Sequence, residues 1–171
     1  FLIFSFSPDG WGDKILLILF ANPSPGKGTK DFATSADDIG NLPLEVCETI
    51  NGSWGFNLKD RKHKSEKELV QYLVKAAGYG SNLLLNVGPM PNGKIQDEHI
   101  ESLKKIGKWV KQNGQTIYNT KRGPISPSEE IASTQDGNIV YIHLLDNNKS
   151  EYFIEGFKSK FKNISYLDSN K

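Results

Sequence analysis

The period of the apolar positions changes several times along this chain. Residues 1–6 and 15–20 are short apolar runs separated by Ser-Pro-Asp-Gly-Trp-Gly-Asp-Lys. Neither is long enough to span a bilayer, and with no basic leader ahead of the first, a signal peptide is a poor reading. The pattern predicts two buried strands, or a strand and a short helix. Residues 21–42 are rich in Pro, Gly, Ser and Asp and read as a long loop. From Leu44 to Ile50 apolar and polar residues alternate as in a short strand, which Asn51-Gly52 stops.

A polar stretch with embedded aromatics, residues 54–64, follows this strand. Ser65 and Glu68 then have the spacing of a capping box. The helix they open carries apolar residues at Leu69, Val70, Leu73, Ala76 and Ala77, and Gly78 or Gly80 ends it. Residues 82–87, Asn-Leu-Leu-Leu-Asn-Val, are almost continuously apolar, as a parallel strand covered on both faces requires. Asp97 is placed to cap a second helix with Ile100, Leu103, Ile106 and Val110 on one face and Gly114 as its stop. Strand, helix, strand, helix describes two β/α units of an α/β fold. After Pro124 the helical period disappears. Residues 139–145, 152–154 and 164–167 read as short strands of an all-β module whose end lies beyond the sequence. A chain opening on Phe-Leu-Ile-Phe is itself expected to be a piece of a longer one.

Composition adds limits rather than direction. The chain has 171 residues, is 37% hydrophobic and 24% charged, and is therefore an ordinary folding sequence. Lys and Arg number 21 against 20 Asp and Glu, and a net charge of +1 argues against a nucleic-acid partner. One cysteine, Cys47, permits neither an intrachain disulfide nor a cysteine-based metal cage. No cofactor, metal or membrane is expected.

Residues 88–94 satisfy G-x-x-x-x-G-K between a strand and a helix, the opening of a nucleotide-binding P-loop. Such a loop aims consecutive backbone N–H groups at phosphates, and Pro89 and Pro91 remove two of them. Ile95 stands where Mg²⁺ needs a hydroxyl, and Asp97 would repel phosphate. A tight βα turn is the better reading.

Three segments, in order, carry a more specific signal. Pro43-Leu44-Glu45-Val46-Cys47-Glu48-Thr49-Ile50 running into Ser53-Trp54-Gly55-Phe56 resembles a segment characteristic of the α-L-fucosidases of glycoside hydrolase family 29. Asn82 to Pro89 with Asn92-Gly93 is similar to the family's last barrel strand and following loop. Ile106-Gly107-Lys108-Trp109-Val110, Asn113-Gly114 and Ile117-Tyr118 resemble its final barrel helix and exit. The resemblance implies the C-terminal portion of a (β/α)₈-like, TIM-type barrel over residues 1–123, followed over residues 124–171 by the beginning of a β-sandwich.

Such enzymes are exo-acting and retaining, need no metal, and release terminal α-linked L-fucose with an aspartate nucleophile and a carboxylic acid/base. By that resemblance Glu45 is the candidate general acid/base, protonating the departing sugar oxygen and then activating water. Asp9, in Asp-Gly-Trp after the first apolar run, is the nucleophile candidate, although the residues before it depart from the family's Trp-Phe-Asp-Gly pattern. Trp54 is a candidate wall for the sugar's apolar face; packing of the loop is its alternative role. Glu48, three residues from Glu45, faces the other way and is read as structural. Trp109 and Tyr118 are read as core, and His63, His99 and His143 as surface or packing residues.

The implied substrate is a fucosylated oligosaccharide or glycoconjugate, and the implied compartment is secreted, periplasmic or lysosomal. The part alone is expected to be inactive, and the open sheet edges of a half barrel predict self-association. The alternative function is a carbohydrate-binding or structural remnant without hydrolysis.

Overall fold

A computed structural model describes residues 2–6, 44–146, 150–154 and 162–167. Two three-stranded sheets are built from six strands: β1 (Leu2–Phe6), β2 (Leu44–Thr49), β3 (Ser81–Val87), β4 (Lys121–Arg122), β5 (Ile131–Asp136) and β6 (Ile139–Leu144). Helices α1 (Glu66–Gly78) and α2 (Asp97–Asn113) complete the set, with a short 3₁₀ turn at Gly114–Thr116.

The central pair behaves as its sequence requires. β2 and β3 are parallel, with Glu45 opposite Asn82, Val46 opposite Leu83 and Thr49 opposite Asn86. Parallel strands need a long crossover, and α1 supplies it. Its capping box is complete: the Ser65 hydroxyl accepts from the Glu68 N–H, and the Glu68 carboxylate accepts from the Ser65 N–H. Both bonds satisfy donors that a helix N-terminus would otherwise leave bare. At the other end Tyr79 caps the helix and Gly80, at φ +71°, takes the left-handed turn into β3.

Two parts of the first sheet and its helices depart from expectation. β1 joins the free edge of β3 antiparallel, Leu2 opposite Val87, so the first sheet is mixed and residues 2–6 do not continue a parallel array. Helix α2 is capped by Gln96 without a side-chain hydrogen bond, and Asp97 is its first helical residue, where its charge still complements the helix dipole. Gly114 ends α2 at φ −57° by tightening into the 3₁₀ turn rather than through a left-handed residue.

The second sheet has the order β4-β5-β6, antiparallel throughout. β5 and β6 form a hairpin closed by Gly137–Asn138, with Gly137 at φ +53°. Residues 152–154 and 164–167 are not strands. Among the described residues no strand pairs with them, and Phe153, Ile164 and Tyr166 are each at least 86% exposed.

One buried cluster runs through both sheets. Leu69, Leu73, Ala76 and Ala77 of α1 meet Leu83, Leu85 and Val87 of β3, Ile106 and Val110 of α2, and Ala132 of β5. Burying each leucine contributes about 1.5–3 kcal/mol. Three polar contacts hold the second sheet against α1: Gln71 Nε2 to the Leu145 carbonyl at 2.7 Å, Tyr79 Oη to the Pro127 carbonyl at 3.2 Å, and a 2.9 Å Lys75–Glu129 ion pair. Trp109 packs against the core as expected, but Tyr118 is 38% exposed, its ring lying over Gly114. No helix among the described residues is long and apolar enough to cross a membrane.

Candidate functional site

Strand register sorts the side chains of β2 and β3 onto two faces. Val46, Leu83, Glu48, Leu85 and Val87 share the side covered by the helices, where the apolar ones enter the core. Glu45, Asn82, Cys47, Leu84, Thr49 and Asn86 share the opposite side, away from α1 and α2.

Glu45 and Asn82, directly opposite each other, are joined by a 2.6 Å bond from Asn82 Nδ2 to Glu45 Oε2. The second carboxylate oxygen, Oε1, is buried and has no partner among the described residues. An acceptor in that condition carries a desolvation cost of about 1–3 kcal/mol, which a proton, a water or a ligand hydroxyl would relieve. Cys47 lies on the same face two residues on, and its thiol is pushed up by burial and then by the charge of Glu45.

Glu48 does point to the opposite side. Its Oε1 accepts from Lys64 Nζ at 3.1 Å, and the same ammonium donates to the Thr49 carbonyl at 2.8 Å and the Asn51 carbonyl at 3.3 Å. Lys64 thereby fastens the far end of the loop after β2 to its beginning. The Lys64 N–H to Ile50 carbonyl bond of 2.7 Å closes the same loop through the backbone.

At the C-terminal end of β3 the loop is clamped again. Asn86 Nδ2 donates to the Trp54 carbonyl at 2.7 Å. Gly88 lies against Gly55 and Phe56 so closely that an added Cβ would stand 2.4 Å from the Gly55 carbonyl carbon. Only glycine permits that approach. The Trp54 side chain is 50% exposed on this loop.

The geometry therefore separates two of the expected site residues. Glu45 is the second residue of β2, near its N-terminal end, whereas Trp54 is anchored beside Asn86, opposite Thr49. Four residue steps, roughly 13 Å at about 3.3 Å each, separate Glu45 from Thr49 along the strand. Asp9 lies outside the described residues.

The G-x-x-x-x-G-K loop spends its amides on itself. Met90 N–H donates to the Lys94 carbonyl, Gly93 N–H to the Met90 carbonyl, and Lys94 N–H to Asn92 Oδ1, at 2.8, 2.8 and 3.0 Å. Those donors point inward, where no phosphate could sit, and the segment is a compact βα turn.

The histidines pack. His99 is 1% exposed, its ring edge-on to His63 at 5.2 Å, and burial followed by His63 holds it below its ordinary pKa. His143 bonds Thr134 Oγ1 through Nε2 at 3.2 Å, and burial pushes its pKa down to about 4. Among the described residues no three His, Cys, Asp or Glu side chains are grouped to hold a metal.

Comparison with known proteins decides the family. The profile of the family described as alpha-L-fucosidase matches residues 27–115, just over half of the chain. The chain belongs to the α-L-fucosidase family. It is 39% identical over 105 residues to the human plasma alpha-L-fucosidase, a match covering 57% of this chain and 22% of that protein. Among solved structures, alpha-L-fucosidase isoenzyme 1 from Paenibacillus thiaminolyticus superimposes with a TM-score of 0.58 at 39% identity, over 62% of this chain and 25% of that one. The Thermotoga maritima alpha-fucosidase in complex with fucose gives 0.53 at 29% identity, over 60% and 26%. The sequence thus spans about a quarter of the length of these fucosidases.

Asn82, Asn86 and Lys64 are the contributors that motif reading missed. The two asparagines had a signal: they are the only polar residues of an otherwise apolar 82–87 run, and a spacing of four places them on one face of the strand.

Proposed function

We propose that this chain supplies the last β/α units of an exo-acting, retaining α-L-fucosidase barrel and the first strands of its C-terminal β-sandwich, dividing near residue 123. Within that enzyme Glu45 is the general acid/base, Asp9 the nucleophile, and Trp54 a wall of the fucose site. The substrate is a fucosylated oligosaccharide or glycoconjugate. The supporting observation is the β2–α1–β3 unit, in which Glu45 of β2 lies on the side of the parallel pair away from α1 and α2, the side that faces inward in a closed barrel.

The chemistry asked of Glu45 is a proton passed to the glycosidic oxygen as the bond breaks, then a proton taken from water as the glycosyl-enzyme is hydrolysed. Its buried, unpartnered Oε1 is the atom available for that proton, while Asn82 fixes Oε2. Asp9 would attack the anomeric carbon from the opposite face.

The placement of Glu45 near the N-terminal end of its strand favours a second reading. In parallel barrels the chemistry gathers at the C-terminal ends, so the Glu45–Asn82 pair also suits a structural clasp within a non-hydrolytic, sugar-binding remnant.

One graft separates the two. Residues 44–122 would replace the matching segment of the Paenibacillus thiaminolyticus enzyme, and release of 4-nitrophenol from its α-L-fucoside would be followed. The hydrolase reading expects turnover, and a loss of about 10²–10⁴-fold in Glu45→Gln on a substrate with a poor leaving group. Azide should restore turnover of activated substrates, since it attacks the glycosyl-enzyme without needing a base. A folded graft that is inactive, or one indifferent to position 45, supports the clasp.

A further inference from the structure

The loop joining β2 to α1 is stiff, and its exposed charges share one sign. Asp60 Oδ2 accepts from the Ser53 hydroxyl at 2.7 Å, Asn57 Nδ2 donates to that hydroxyl at 3.1 Å, and Asp60 N–H donates to the Asn57 carbonyl at 3.1 Å. Asn57 Oδ1 in turn accepts from Lys59 N–H, and Arg61 Nε donates to the Leu58 carbonyl, both at 3.0 Å. With Asn86 and Lys64 holding the ends, the backbone is fixed before any ligand arrives, which removes an ordering cost from binding.

The single acid of residues 54–64 is half-buried and engaged within the loop. Asp60 lies against Gly52, where an added Cβ would be 3.2 Å from its Oδ2, and the Ser53 hydrogen bond holds its carboxyl below the usual range. Lys64 is committed to Glu48. Lys59, Arg61 and Lys62 remain exposed, and none of them is ion-paired among the described residues. On the same loop Trp54 is 50% and Leu58 66% exposed. An aromatic and an aliphatic surface flanked by three cations is the combination that a sugar bearing a negative group would use: ring stacking on one part, charge on the other.

We propose that this βα loop is a subsite for an anionic substituent, a sulfate ester or a carboxylate, on the fucosylated glycan, with Lys59, Arg61 and Lys62 contacting the charge and Trp54 the sugar ring. The inference rests on the fucosidase reading, because it is the position of the loop at the C-terminal ends of β2 and β3 that puts these side chains on a barrel's substrate side. It explains why cations gather here in a chain whose overall charge is only +1.

The test is binding by the full 171-residue chain, without turnover, so that it is independent of the activity of the graft. Sulfated fucan oligosaccharides, the same oligosaccharides desulfated, a sialylated fucosyl oligosaccharide and double-stranded DNA would be titrated against tryptophan fluorescence. The sulfated form, the sialylated form or both should bind more than tenfold tighter than the desulfated one, and the advantage should shrink as salt rises. The triple change Lys59→Gln, Arg61→Gln, Lys62→Gln should abolish that advantage. Equal affinity for desulfated glycan, affinity for DNA equal to that for the anionic glycan, or an unchanged triple variant would each overturn the proposal. An inactive graft together with retained discrimination would instead count against the hydrolase reading alone.

Discussion

Asn82 Nδ2 lies 2.6 Å from Glu45 Oε2, and the two residues are register partners on adjacent parallel strands. Unpaired, each of these side chains would set a polar group on a half-buried face. Pairing turns two desolvation costs into one charge-assisted hydrogen bond. Removing the donor in Asn82→Ala leaves both carboxylate oxygens of Glu45 without a hydrogen-bond donor among the described residues. Urea denaturation should show a loss of about 1–3 kcal/mol. Glu45→Gln keeps an acceptor facing Asn82 and should cost less than half as much.

Lys64 offers a sharper contrast. It contributes the only cation beside the Glu48 carboxylate among the described residues, and Glu48 is 5% exposed. Lys64→Met strands that charge and removes a donor from the Thr49 and Asn51 carbonyls, so a loss of about 3–5 kcal/mol is expected. In the double variant with Glu48→Gln much of it should return. The coupling, read from a double-mutant cycle by urea melts, should exceed about 1 kcal/mol; additivity would mean that the ion pair contributes nothing.

Gly88 and Gly55 face each other across the loop clamp but tolerate side chains differently. An added Cβ at Gly88 would lie 2.4–2.5 Å from backbone atoms of Gly55 and Phe56, whereas at Gly55 it meets nothing within 4 Å. Gly88→Ala must push the Trp54 loop off β3, costing about 1–3 kcal/mol by overpacking and shifting tryptophan emission. Gly55→Ala should leave both melt and emission near those of the parent.

These contacts also mark what the sequence could announce. The capping box at Ser65, the alternating β2 and the apolar β3 were legible because each is a local pattern with a local cause. β5 was not. Its Ala-Ser-Thr-Gln core has little apolar character, and Ser133 and Thr134 are buried only because their hydroxyls reach the Ile125 and Thr116 carbonyls, at 2.8 and 2.6 Å. Asp136-Gly137, a hairpin signal, was its one local trace. The antiparallel pairing of β1 depends on which edge of β3 is free, a tertiary fact without local signature. For the site, residue types were readable, and the strand bounds already put Glu45 at the start of β2 and Trp54 past its end. That the Trp54 loop is pinned beside Asn86 follows only from the pairing of β2 with β3.

Sheet edges bear on association. β2 bounds the first sheet and β6 the second, and Ile142 and Leu144 on β6 are 36% and 44% exposed. Uncharged, β-branched edges pair with other chains. Sedimentation velocity over a dilution series should show concentration-dependent association, reduced by Ile142→Lys. A single monomeric species throughout would remove this expectation.

Acid sensitivity should come from the second sheet before the carboxylates titrate. His143 keeps a neutral ring, bonded through Nε2 to Thr134 Oγ1, which itself donates to the Thr116 carbonyl. Its folded pKa of about 4 is below the ordinary 6.5. The unfolded chain therefore takes up a proton that the folded chain refuses in the interval between those values. Stability is full above 6.5, declines as pH falls toward 4, and levels off below, where both states are protonated. The direction at His99 is the same, also because of burial first. Urea melts at neutral pH and near the lower bound should differ by on the order of 2 kcal/mol. His143→Gln retains a donor toward Thr134 but cannot titrate, so most of that difference should vanish. If the variant keeps the full slope, His143 is not the group that refuses the proton.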